Sequence, residues 1–368
     1  MQTITGNLTG IVPGKVPGKI RIFIIVKNHF ILDKQATIKD IAKTLNVSTS
    51  TVSRALRGQP DVNPETKKAI LTLAKELDYQ PNKAALSLLK RHTQMIGVLV
   101  PNLDYFCATA VKGIDEVAVK AGYAVMVCQS NESYDRELFN TKRLLESQVD
   151  GFIISTSSET KSFEHFKRLI DKHIPVVFFD RVMPGIVATK VLLDNEDGGY
   201  QATEHLIQQG CKRIAFLGGP DSMLISNQRQ QGYEKALQDN KIKKDKKLII
   251  HCGFNKENAY LAAKNILKWK NPPDGIFTIS DRIAMGAMIA IKETGLSMPH
   301  DIALVGFNNE PIDDLLSPGI SSIDQPAYKM GKISAETFFE MLKNPEKNII
   351  REIILKPKLI VRDSSNRK

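Results

Sequence analysis

Between residues 37 and 79, apolar side chains recur every three or four positions, which predicts three short amphipathic helices. The first covers the segment TIKDIAKTLN, where Thr37 and Asp40 have the spacing of a T-x-x-D capping box. The third follows Asn63, a favourable N-cap residue, with Pro64 at the first helical position. Its predicted apolar stripe consists of Ile70, Leu73, Ala74 and Leu77. Three short helices with facing apolar stripes predict a small helical bundle.

The second of these helices is predicted in the segment VSTSTVSRAL, which places five hydroxyl side chains in six consecutive positions. Ser48 or Thr49 can cap the helix, and Val52, Ala55 and Leu56 keep the i, i+3, i+4 spacing of one buried face. Serine and β-branched threonine are mediocre helix formers. The segment therefore gives up helix propensity in favour of small polar groups on its other face.

From Met95 onward, short continuous apolar runs alternate with helical stretches. The runs are MIGVLV, YAVMVC, GFIIS, PVVFFD, RIAFLGG, GIFTIS and IALVGF. Such runs between helices indicate parallel strands that are buried on both faces. The pattern occurs once before and once after about Asp194, which predicts an α/β core of two doubly wound parallel-sheet lobes. A cleft is expected at the carboxyl ends of their strands.

Composition limits the class of protein. With 42% hydrophobic and 25% charged residues, the chain is typical of globular proteins. No apolar run reaches the length needed to span a membrane, and the run IFIIV near the amino terminus is too short for a signal peptide. We therefore expect no export, and we interpret residues 1–35 as a disordered or misassigned extension.

The net charge of +11 is concentrated towards the amino terminus. Residues 34–91 carry 11 Lys and Arg against 5 Asp and Glu, whereas residues 92–368 carry 36 against 34. A small basic segment attached to a nearly neutral body is typical of a nucleic-acid-binding module on a sensing or catalytic body. On charge alone, a basic face that merely contacts solvent remains an alternative.

The four cysteines lie far apart, without a C-x-x-C pair or a histidine at metal-ligand spacing. They are Cys107, Cys128, Cys211 and Cys252. We interpret them as reduced core thiols, which predicts a cytoplasmic protein without a bound metal. The sequence contains no nucleophile motif and no phosphate-binding glycine loop, so neither a catalytic residue nor a cofactor is predicted.

A helix, a tight turn and a second helix within about twenty residues form a helix-turn-helix, whose second helix lies in the DNA major groove. With Val52 and Ala55 facing the bundle, Thr49, Ser50 and Arg54 remain on the other side. Hydroxyl groups can bond phosphates and base edges, and an arginine can contact guanine bidentately, worth about 1–3 kcal/mol. An ordinary capped helix with exposed polar residues is the alternative. The preceding helix, the turn length and the local positive charge favour DNA binding.

The segment ATIKDIAKTLNVSTSTVSRALRGQPDVNPETKKAILTLAKELDYQPNKAALSLLKR resembles the DNA-binding head and hinge of the lac repressor (LacI/GalR) family of bacterial transcription regulators. The similarity continues through IGVLVPNL, GFIIS, PVVFFDR, ATEHLIQQGCKRIAFLGGP, RQQGYEKAL, SDRIAMGAMIAIKETGLSMPHDIALVGFNN and ISSIDQP. It therefore covers about residues 36–363. The resemblance implies an all-α helix-turn-helix head on a periplasmic-binding-protein-like α/β core.

The resemblance and the patterns together predict the domain organisation. A helix-turn-helix DNA-binding domain is expected over residues 36–80 and a hinge helix or linker over 81–94. An effector-binding and dimerisation core is expected over residues 95–368. Its lobe boundary is expected near residue 194, and the chain is expected to cross back near 322–330.

The resemblance also implies which residues contact DNA. In the family, the recognition-helix residues that follow VS read bases, and these are Thr49 and Ser50 here. The hinge PNKAALSLLK resembles a segment that folds on operator DNA and inserts a leucine into the minor groove, which by position is Leu88. The predicted DNA-binding residues are Thr37, Ser48, Thr49, Ser50, Ser53, Arg54, Asn82, Ala85 and Leu88. Packing of the hinge leucines on a lobe is the alternative.

The family binds a small effector, often a sugar or sugar phosphate, in the cleft between the lobes. Polyol recognition needs fixed carboxylates, guanidinium groups and an aromatic wall. Asp281, in SDRIAMG, sits where the family places an effector-binding aspartate. The predicted effector-binding residues are Asp281, Arg181, Arg229, Asp194, Tyr200, Phe106, Phe254 and Asn308. For each charged residue, a solvated loop position or a structural ion pair is the alternative.

The resemblance implies a transcriptional regulator, and most such proteins repress. We expect a homodimer on a near-palindromic operator, whose DNA affinity changes when the effector alters the angle between the lobes. The expected partners are double-stranded operator DNA, the effector and a second copy of the chain, without a membrane or a cofactor. A solute-binding protein would explain the two lobes but not the basic head. An enzyme acting in the cleft would need a catalytic motif.

Overall fold

The computed structural model of the chain describes residues 36–79, 92–344, 346 and 350–367. It divides into two compact units, Met1–Asn82 and Lys83–Lys368. The amino-terminal extension and the predicted hinge residues Asn82, Ala85 and Leu88 lie outside the described residues.

Within residues 36–79, the smaller unit is a bundle of three α-helices, as the apolar pattern predicts. They are α1 (Ile38–Thr44), α2 (Thr49–Leu56) and α3 (Pro64–Glu76). Ile41, Val52 and Ile70, one from each helix, are fully buried in one apolar cluster, and each contributes about 1.5–3 kcal/mol by burial. Thr37 donates its backbone N–H and its hydroxyl to Asp40 Oδ2 at 2.8 and 2.7 Å, which confirms the predicted capping box.

The third helix begins as predicted but ends earlier. Asn63 Oδ1 accepts the backbone N–H of Glu65 at 2.9 Å and so caps α3. Leu77 was expected to extend the buried stripe of this helix, yet its side chain is exposed. The reason is that α3 ends at Glu76, so Leu77 leaves the helical face.

The larger unit contains two β-sheets with helices packed on them. Its strands are β1 (Met95–Val100), β2 (Ala124–Gln129), β3 (Gly151–Ile154), β4 (Val176–Phe179), β5 (Thr189–Leu193), β6 (Ile214–Gly218), β7 (Ile249–His251), β8 (Gly275–Thr278), β9 (Ala303–Asn308), β10 (Ser321–Asp324), β11 (Glu352–Leu355) and β12 (Lys358–Ile360). Its α-helices are α4 (Tyr105–Lys120), α5 (Tyr134–Glu146), α6 (Glu164–Asp171), α7 (Asn195–Gln208), α8 (Leu224–Asp239), α9 (Lys256–Ile266), α10 (Asp281–Glu293) and α11 (Ala327–Lys343).

In the described part of the chain, each sheet has six strands. The order is β11-β5-β4-β3-β1-β2 in the first, which we call lobe 1, and β12-β10-β9-β8-β6-β7 in the second, lobe 2. Neighbours are parallel except β10 and β12. Along β4, Val177 and Phe179 pack in one apolar cluster and Val176 and Phe178 in another. Both faces of the sheet are therefore covered, as expected for parallel strands.

The chain passes repeatedly between the lobes. After Leu193 it leaves lobe 1 for α7, which packs on β9, β10 and β12. After Asp324 it returns to lobe 1 through α11, which packs on α4 and β4. After Leu355 it crosses once more to form β12. Lobe 1 is therefore assembled from two separate stretches of sequence.

All the apolar runs predicted as strands form strands, namely β1 to β4, β6, β8 and β9. Strands β5, β7, β10, β11 and β12 were not predicted. They are short or mix polar with apolar residues, so they lack a continuous run. The run YAVMVC was expected to be buried on both faces, but β2 lies at a sheet edge, where Ala124 and Val127 are exposed.

A close approach of α7 and α8 depends on glycine. A Cβ added at Gly199 would lie 2.2 Å from the carbonyl oxygen of Arg229, and one at Gly232 would lie 2.0 Å from that of Glu196. Only residues without a side chain let the two backbones approach so closely. This contact fixes the backbone of Arg229 against lobe 2. None of the helices in the described ranges is both long and apolar enough to cross a lipid bilayer.

Candidate functional sites

Helix α2 begins with a network of hydroxyl groups. The Ser48 Oγ accepts the backbone N–H of Thr51 at 3.0 Å and lies 2.6 Å from Ser50 Oγ and 2.8 Å from Thr51 Oγ1. These bonds satisfy a donor in the first turn that has no partner within the helix. Val52 and Ala55 are buried on the opposite face. The hydroxyl groups are thus held in place by the helix end itself.

The outward face of α2 carries an arginine and several small polar groups. Thr49, Ser50 and Arg54 are exposed, and Ser53 is half-buried. The Arg54 guanidinium pairs with the Asp61 carboxylate, and both side chains are about half exposed. An exposed ion pair contributes about 0–1 kcal/mol, so the guanidinium can exchange this partner for another acceptor.

The other predicted DNA contacts divide into two groups. Thr37 is exposed, but its hydroxyl is committed to capping α1. Asn82, Ala85 and Leu88 lie outside the described residues. The structure therefore places the α2 residues of the predicted set along one short helix, from its cap Ser48 to Arg54 in its last turn.

A cavity of about 790 Å³ lies between the lobes. Its walls follow the carboxyl ends of β1 to β4 in lobe 1 and of β6 to β10 in lobe 2. Lobe 1 contributes Asn102, Asp104, Phe106, Cys107, Asn131, Glu132, Ser158, Asp180 and Arg181. Lobe 2 and the connection after β10 contribute Pro220, Ile225, Arg229, Phe254, Asn255, Lys256, Glu257, Ser280, Arg282, Met285, Asn308, Glu310 and Gln325.

Arg181 forms part of the lobe 1 wall. Its Nη1 donates to both carboxylate oxygens of Glu132, at 2.8 and 3.0 Å, and its guanidinium lies 4.7 Å from the ring centre of Phe254 in lobe 2. Burial opposes the charge, but the Glu132 and Asp180 carboxylates outweigh it and raise the pKa of Arg181. The Cys107 thiol beside it is uncharged, because burial raises its pKa to about 12.

Arg229, on α8, is almost fully buried and forms part of the lobe 2 wall. Its Nε donates to Asn195 Oδ1 at 2.9 Å, Nη1 to the Ile279 carbonyl at 2.6 Å and Nη2 to Gln325 Oε1 at 3.2 Å. The guanidinium carbon lies 3.5 Å from the ring centre of Phe307. Burial lowers the pKa of Arg229 to about 9, since these partners are neutral. The group still carries its charge at neutral pH.

Side-chain contacts join the lobes across the cavity. Gln325 Nε2 donates to Asp180 Oδ1 at 2.7 Å, and the same Gln325 accepts from Arg229. At the rim, Arg282 Nη2 of lobe 2 lies 2.9 Å from Asp104 Oδ2 of lobe 1. A ligand that enters the cavity therefore meets groups that already link one lobe to the other.

Five of the predicted effector residues line the cavity. They are Phe106, Arg181, Arg229, Phe254 and Asn308.

Asp281 differs from these five residues. It is fully buried, and its Oδ1 accepts the Ser322 hydroxyl at 2.6 Å while its Oδ2 accepts the backbone N–H of Glu310 at 3.0 Å. These donors hold the carboxylate behind the lobe 2 wall. Asp281 therefore lies outside the cavity-lining set, whereas its neighbours Ser280 and Arg282 line the cavity, and its role in effector binding stays a prediction.

Asp194 and Tyr200 also lie away from the cavity-lining set. Asp194 caps α7, where its Oδ1 accepts the backbone N–H of Asp197 at 3.1 Å and its Oδ2 lies 2.8 Å from Lys356 Nζ. Tyr200 lies on α7 with its ring centre 5.9 Å from Lys235 Nζ. The alternative reading of a structural cap or ion pair fits Asp194.

Many cavity residues on both walls were not predicted. Among them are Glu132, Asp180, Ser280, Arg282 and Gln325. A simple signal points to three of them, because Asp180, Ser280 and Gln325 each follow within two residues of a strand end. Glu132 and Arg282 carry no such signal, since a loop and a helix turn bring them to the wall. Among the described residues, no group of three or more His, Cys, Asp or Glu side chains is placed to hold a metal ion.

Comparisons with known proteins agree with both parts of the fold. Residues 37–82 match the family model "Bacterial regulatory proteins, lacI family", and residues 203–365 match "Periplasmic binding protein-like domain". An HTH-type transcriptional repressor PurR of Vibrio vulnificus (strain CMCP6) is 31% identical, over 89% of this chain and 98% of the relative. A ribose operon repressor of Halalkalibacterium halodurans is 32% identical, over 89% and 97%.

A solved structure is also similar over most of the chain. The transcriptional regulator CelR–cellobiose complex superposes with a TM-score of 0.67 at 27% identity, over 90% of this chain and 100% of that chain. A helix-turn-helix head on a two-lobed α/β core defines a DNA-binding transcription regulator with a ligand-binding body. The chain belongs to the lacI family of bacterial regulatory proteins.

Proposed function

We propose that the chain is a homodimeric, cytoplasmic repressor whose affinity for operator DNA is controlled by a sugar or sugar derivative. The effector binds in the cavity between the lobes, and the protein catalyses no reaction. One observation carries this proposal. A helix-turn-helix with an exposed polar face and a cavity walled by both lobes occur in the same chain.

The surface of α2 supports DNA reading by the predicted residues. Thr49, Ser50 and Arg54 are exposed on a helix of eight residues, whose end Ser48 caps. Hydroxyl groups there reach phosphates and base edges, and the α2 amino terminus favours an approaching phosphate. Arg54 exchanges Asp61 for a guanine edge when the helix enters the groove.

The charges of the cavity support an uncharged polyol as effector. Arg181 is bound to Glu132, and Arg282 is paired with Asp104. A phosphate would have to displace these carboxylates, whereas a sugar hydroxyl can donate to a carboxylate and accept from an arginine at once. Arg229 has neutral partners and can donate a further N–H to a hydroxyl.

The remaining lining groups also fit a sugar. Phe106 and Phe254 provide apolar faces on opposite lobes, and Asn102, Ser280 and Asn308 provide hydrogen-bonding groups that can fix hydroxyls. The relative CelR was solved with cellobiose, which supports a saccharide of some kind.

Exposed apolar side chains support self-association. Val119 and Phe139 in lobe 1 and Ile289, Ile312 and Leu315 in lobe 2 are exposed. Such side chains are available for a protein interface when they lie together in a patch. A second copy of the chain that covered some of them would present two heads to a near-palindromic operator.

Control of DNA binding follows from linkage. The effector must bind two arrangements of the lobes with different affinity in order to shift the balance between them. The contacts of Asp104 with Arg282 and of Gln325 with Asp180 link the lobes at the cavity itself. Effector hydroxyl groups that compete for these side chains would change the angle between the lobes.

A binding experiment tests the proposal. Full-length protein is titrated into a labelled duplex from the DNA upstream of its gene, with a shuffled duplex as control, at two salt concentrations. We expect selective, salt-dependent binding. A thermal-shift screen with sugars then identifies a ligand, because a compound that binds only the folded state stabilises it. Equal affinity for the two duplexes would reject the regulator.

The same experiment separates the alternatives. A solute-binding protein would bind a sugar but would not select between duplexes. An enzyme would convert the sugar, which chromatography of the incubated ligand detects. A repressor binds both ligands, and the sugar changes its affinity for the upstream duplex without being consumed.

A further inference from the structure

Two carboxyl groups lie in contact behind the lobe 2 wall of the cavity. Asp281 and Asp313 are fully buried, both Asp313 oxygens lack a hydrogen-bond donor in the described part of the chain, and the two carboxyl groups are near enough for the charge of Asp281 to act on Asp313. Asp281 begins α10, and Asp313 lies in the 3-10 helix Pro311–Asp314 that follows β9. We call them the carboxyl pair. Two ionised carboxylates in contact away from water repel each other strongly, so one of them has to hold a proton.

The two members of the carboxyl pair differ in their partners. Asp281 accepts the Ser322 hydroxyl and the backbone N–H of Glu310. For Asp313, no N–H or O–H donor of the described residues reaches either carboxylate oxygen. A proton between the two carboxyls is therefore the hydrogen bond that ties the Asp313 side chain to its surroundings.

Neighbouring charges do not neutralise the carboxyl pair. The ionisable groups that face it are Arg362, Glu310 and Arg229. Arg362 is committed elsewhere, because its Nε donates to Asp314 and its Nη2 to Asn309. Glu310 adds a further carboxyl whose pKa is raised by burial and by Asp281. Arg229 lines the cavity and donates its hydrogen bonds to neutral partners.

The direction of titration agrees with this geometry. Burial, and then the charge of Asp281, raise the pKa of Asp313 to about 9. An aspartate in the unfolded chain titrates near 3.9. Between these values the folded protein holds a proton that the unfolded chain has lost. Its contribution to stability is complete in acid and is lost as the pH rises towards 9.

We propose that the carboxyl pair shares one proton at neutral pH and that this proton clamps the turn Pro311–Asp314 to the cavity wall. On one side, Asp281 holds the backbone of Glu310 and directly precedes Arg282, and both of these residues line the cavity. On the other side, the turn carries the exposed Ile312 and is followed by Leu315. The shared proton therefore connects the effector wall with the surface proposed for dimerisation.

Unfolding at different pH values tests the shared proton. Full-length wild type, Asp313→Asn and Asp221→Asn are unfolded in urea between pH 5 and pH 9, and the fluorescence of Trp269 is followed. Trp269 is the single tryptophan of the chain and packs against the lobe 2 core. Asn keeps a hydrogen-bond donor for Asp281 but needs no proton. Asp221→Asn removes an exposed carboxylate elsewhere in lobe 2 and leaves Arg362 paired with Asp314, so it serves as the control.

When the folded state holds one proton more than the unfolded state, the equilibrium constant of unfolding changes tenfold per pH unit. Relative to Asp313→Asn, the unfolding constant of the wild type should rise by about tenfold for each pH unit above pH 5. The Asp221→Asn control should follow the wild type. If the wild type and Asp313→Asn show the same pH dependence, the shared proton does not exist.

A second measurement uses the wild type alone and so does not depend on how a variant folds. Infrared spectra of protein labelled with ¹³C in the aspartate carboxyls should show a protonated carboxylic acid at pH 7. Its absence at pH 7 would overturn the proposal. These tests need no effector and no DNA, so their failure is distinct from failure of the proposed function.

The connection to the dimer surface, which rests on the proposed function, has its own test. Sedimentation at pH 7 and pH 9.5 should show weaker self-association of the wild type at the higher pH and little change for Asp313→Asn. Unchanged sedimentation of the wild type would reject the connection.

Discussion

The face of α2 and the cavity between the lobes are both lined by polar groups, yet they are built in opposite ways. The α2 hydroxyl groups are ordered by bonds within four residues, as between Ser48 and Thr51. The cavity brings together groups that lie far apart, such as Asp180 and Gln325, which are separated by 145 positions. The face of α2 is ordered by exposed hydrogen bonds between residues close in sequence. The cavity is ordered by buried hydrogen bonds between residues far apart in sequence.

This difference determines what a substitution can do at each site. On α2, an exposed side chain can change without disturbing the bundle, because the apolar cluster of the head lies on the other face. In the cavity, Arg229 lines the wall and also donates hydrogen bonds to three buried acceptors. A substitution on the exposed face of α2 should therefore change DNA binding without changing stability. A substitution in the cavity should change both stability and effector binding.

The largest effect is expected from Arg229→Met. Loss of the guanidinium leaves the Asn195, Ile279 and Gln325 acceptors buried without a donor. Each such group costs about 1–3 kcal/mol, so the core should lose about 3 kcal/mol or more of its free energy of unfolding. Urea unfolding followed by Trp269 fluorescence measures this loss. Arg229→Lys, which keeps the charge but not the planar fork, should recover part of it.

Effector binding can be measured in the same Arg229 variants. Any sugar found by the thermal-shift screen should lose affinity for Arg229→Met in parallel with the loss of stability. A variant that kept wild-type stability but lost the ligand would show that the two roles separate in the cavity, against our expectation.

Arg54→Ala should give the next largest effect, and on DNA binding alone. If Arg54 contacts a guanine, operator affinity should fall by about 1–3 kcal/mol. Thermal stability should change by less than about 1 kcal/mol, because the pair with Asp61 is exposed. Lys75→Ala, on the exposed face of α3, removes one charge as a control. Equal losses for the two variants would mean that Arg54 contributes charge only.

Ser48 combines a cap with a position near DNA, so two substitutions separate its roles. Ser48→Ala should lower the stability of the head by about 1 kcal/mol, since the Thr51 N–H loses its acceptor. Ser48→Asp should keep the cap but weaken duplex binding by repelling phosphates. Circular dichroism melting and fluorescence anisotropy measure the two effects. Wild-type duplex binding by Ser48→Asp would place this helix end away from the DNA backbone.

The smallest effect is expected from Asp194→Asn. The amide can still cap α7, and the exchange removes the charge that faces Lys356. Stability should fall by less than about 1 kcal/mol, and effector affinity should remain unchanged, because the residue lies away from the cavity-lining set. Isothermal titration with the identified sugar checks this. A clear loss of affinity would support the prediction that Asp194 contacts the effector.

Apolar periodicity was enough to predict the helices of the head and the long buried strands. Those elements carry their own signal, as in MIGVLV or the stripe around Val52. The apolar pattern did not predict β11, because its residues alternate in exposure. This strand is part of the sheet through its parallel pairing with β5. An edge strand formed after a long excursion of the chain has no local signature.

The cavity was predictable in position but only partly in its residues. The carboxyl ends of the strands indicate where it lies, and five predicted residues line it. The direction of the Asp281 side chain could not be predicted from the position of the strand end. At the start of a helix, one position separates a side chain that faces the ligand from one that faces the core. The choice depends on Ser322 and Glu310, which are distant in sequence.

The return of the chain to lobe 1 through α11 and β11 has a consequence for how such proteins recombine. A gene fragment that ended at Leu193 would encode a sheet without its β11 edge and without the helix that packs on β4. An exchange of lobe 1 between two relatives would therefore have to move residues 95–193 together with 327–355. The two lobes therefore cannot be exchanged by recombination at a single point in the gene.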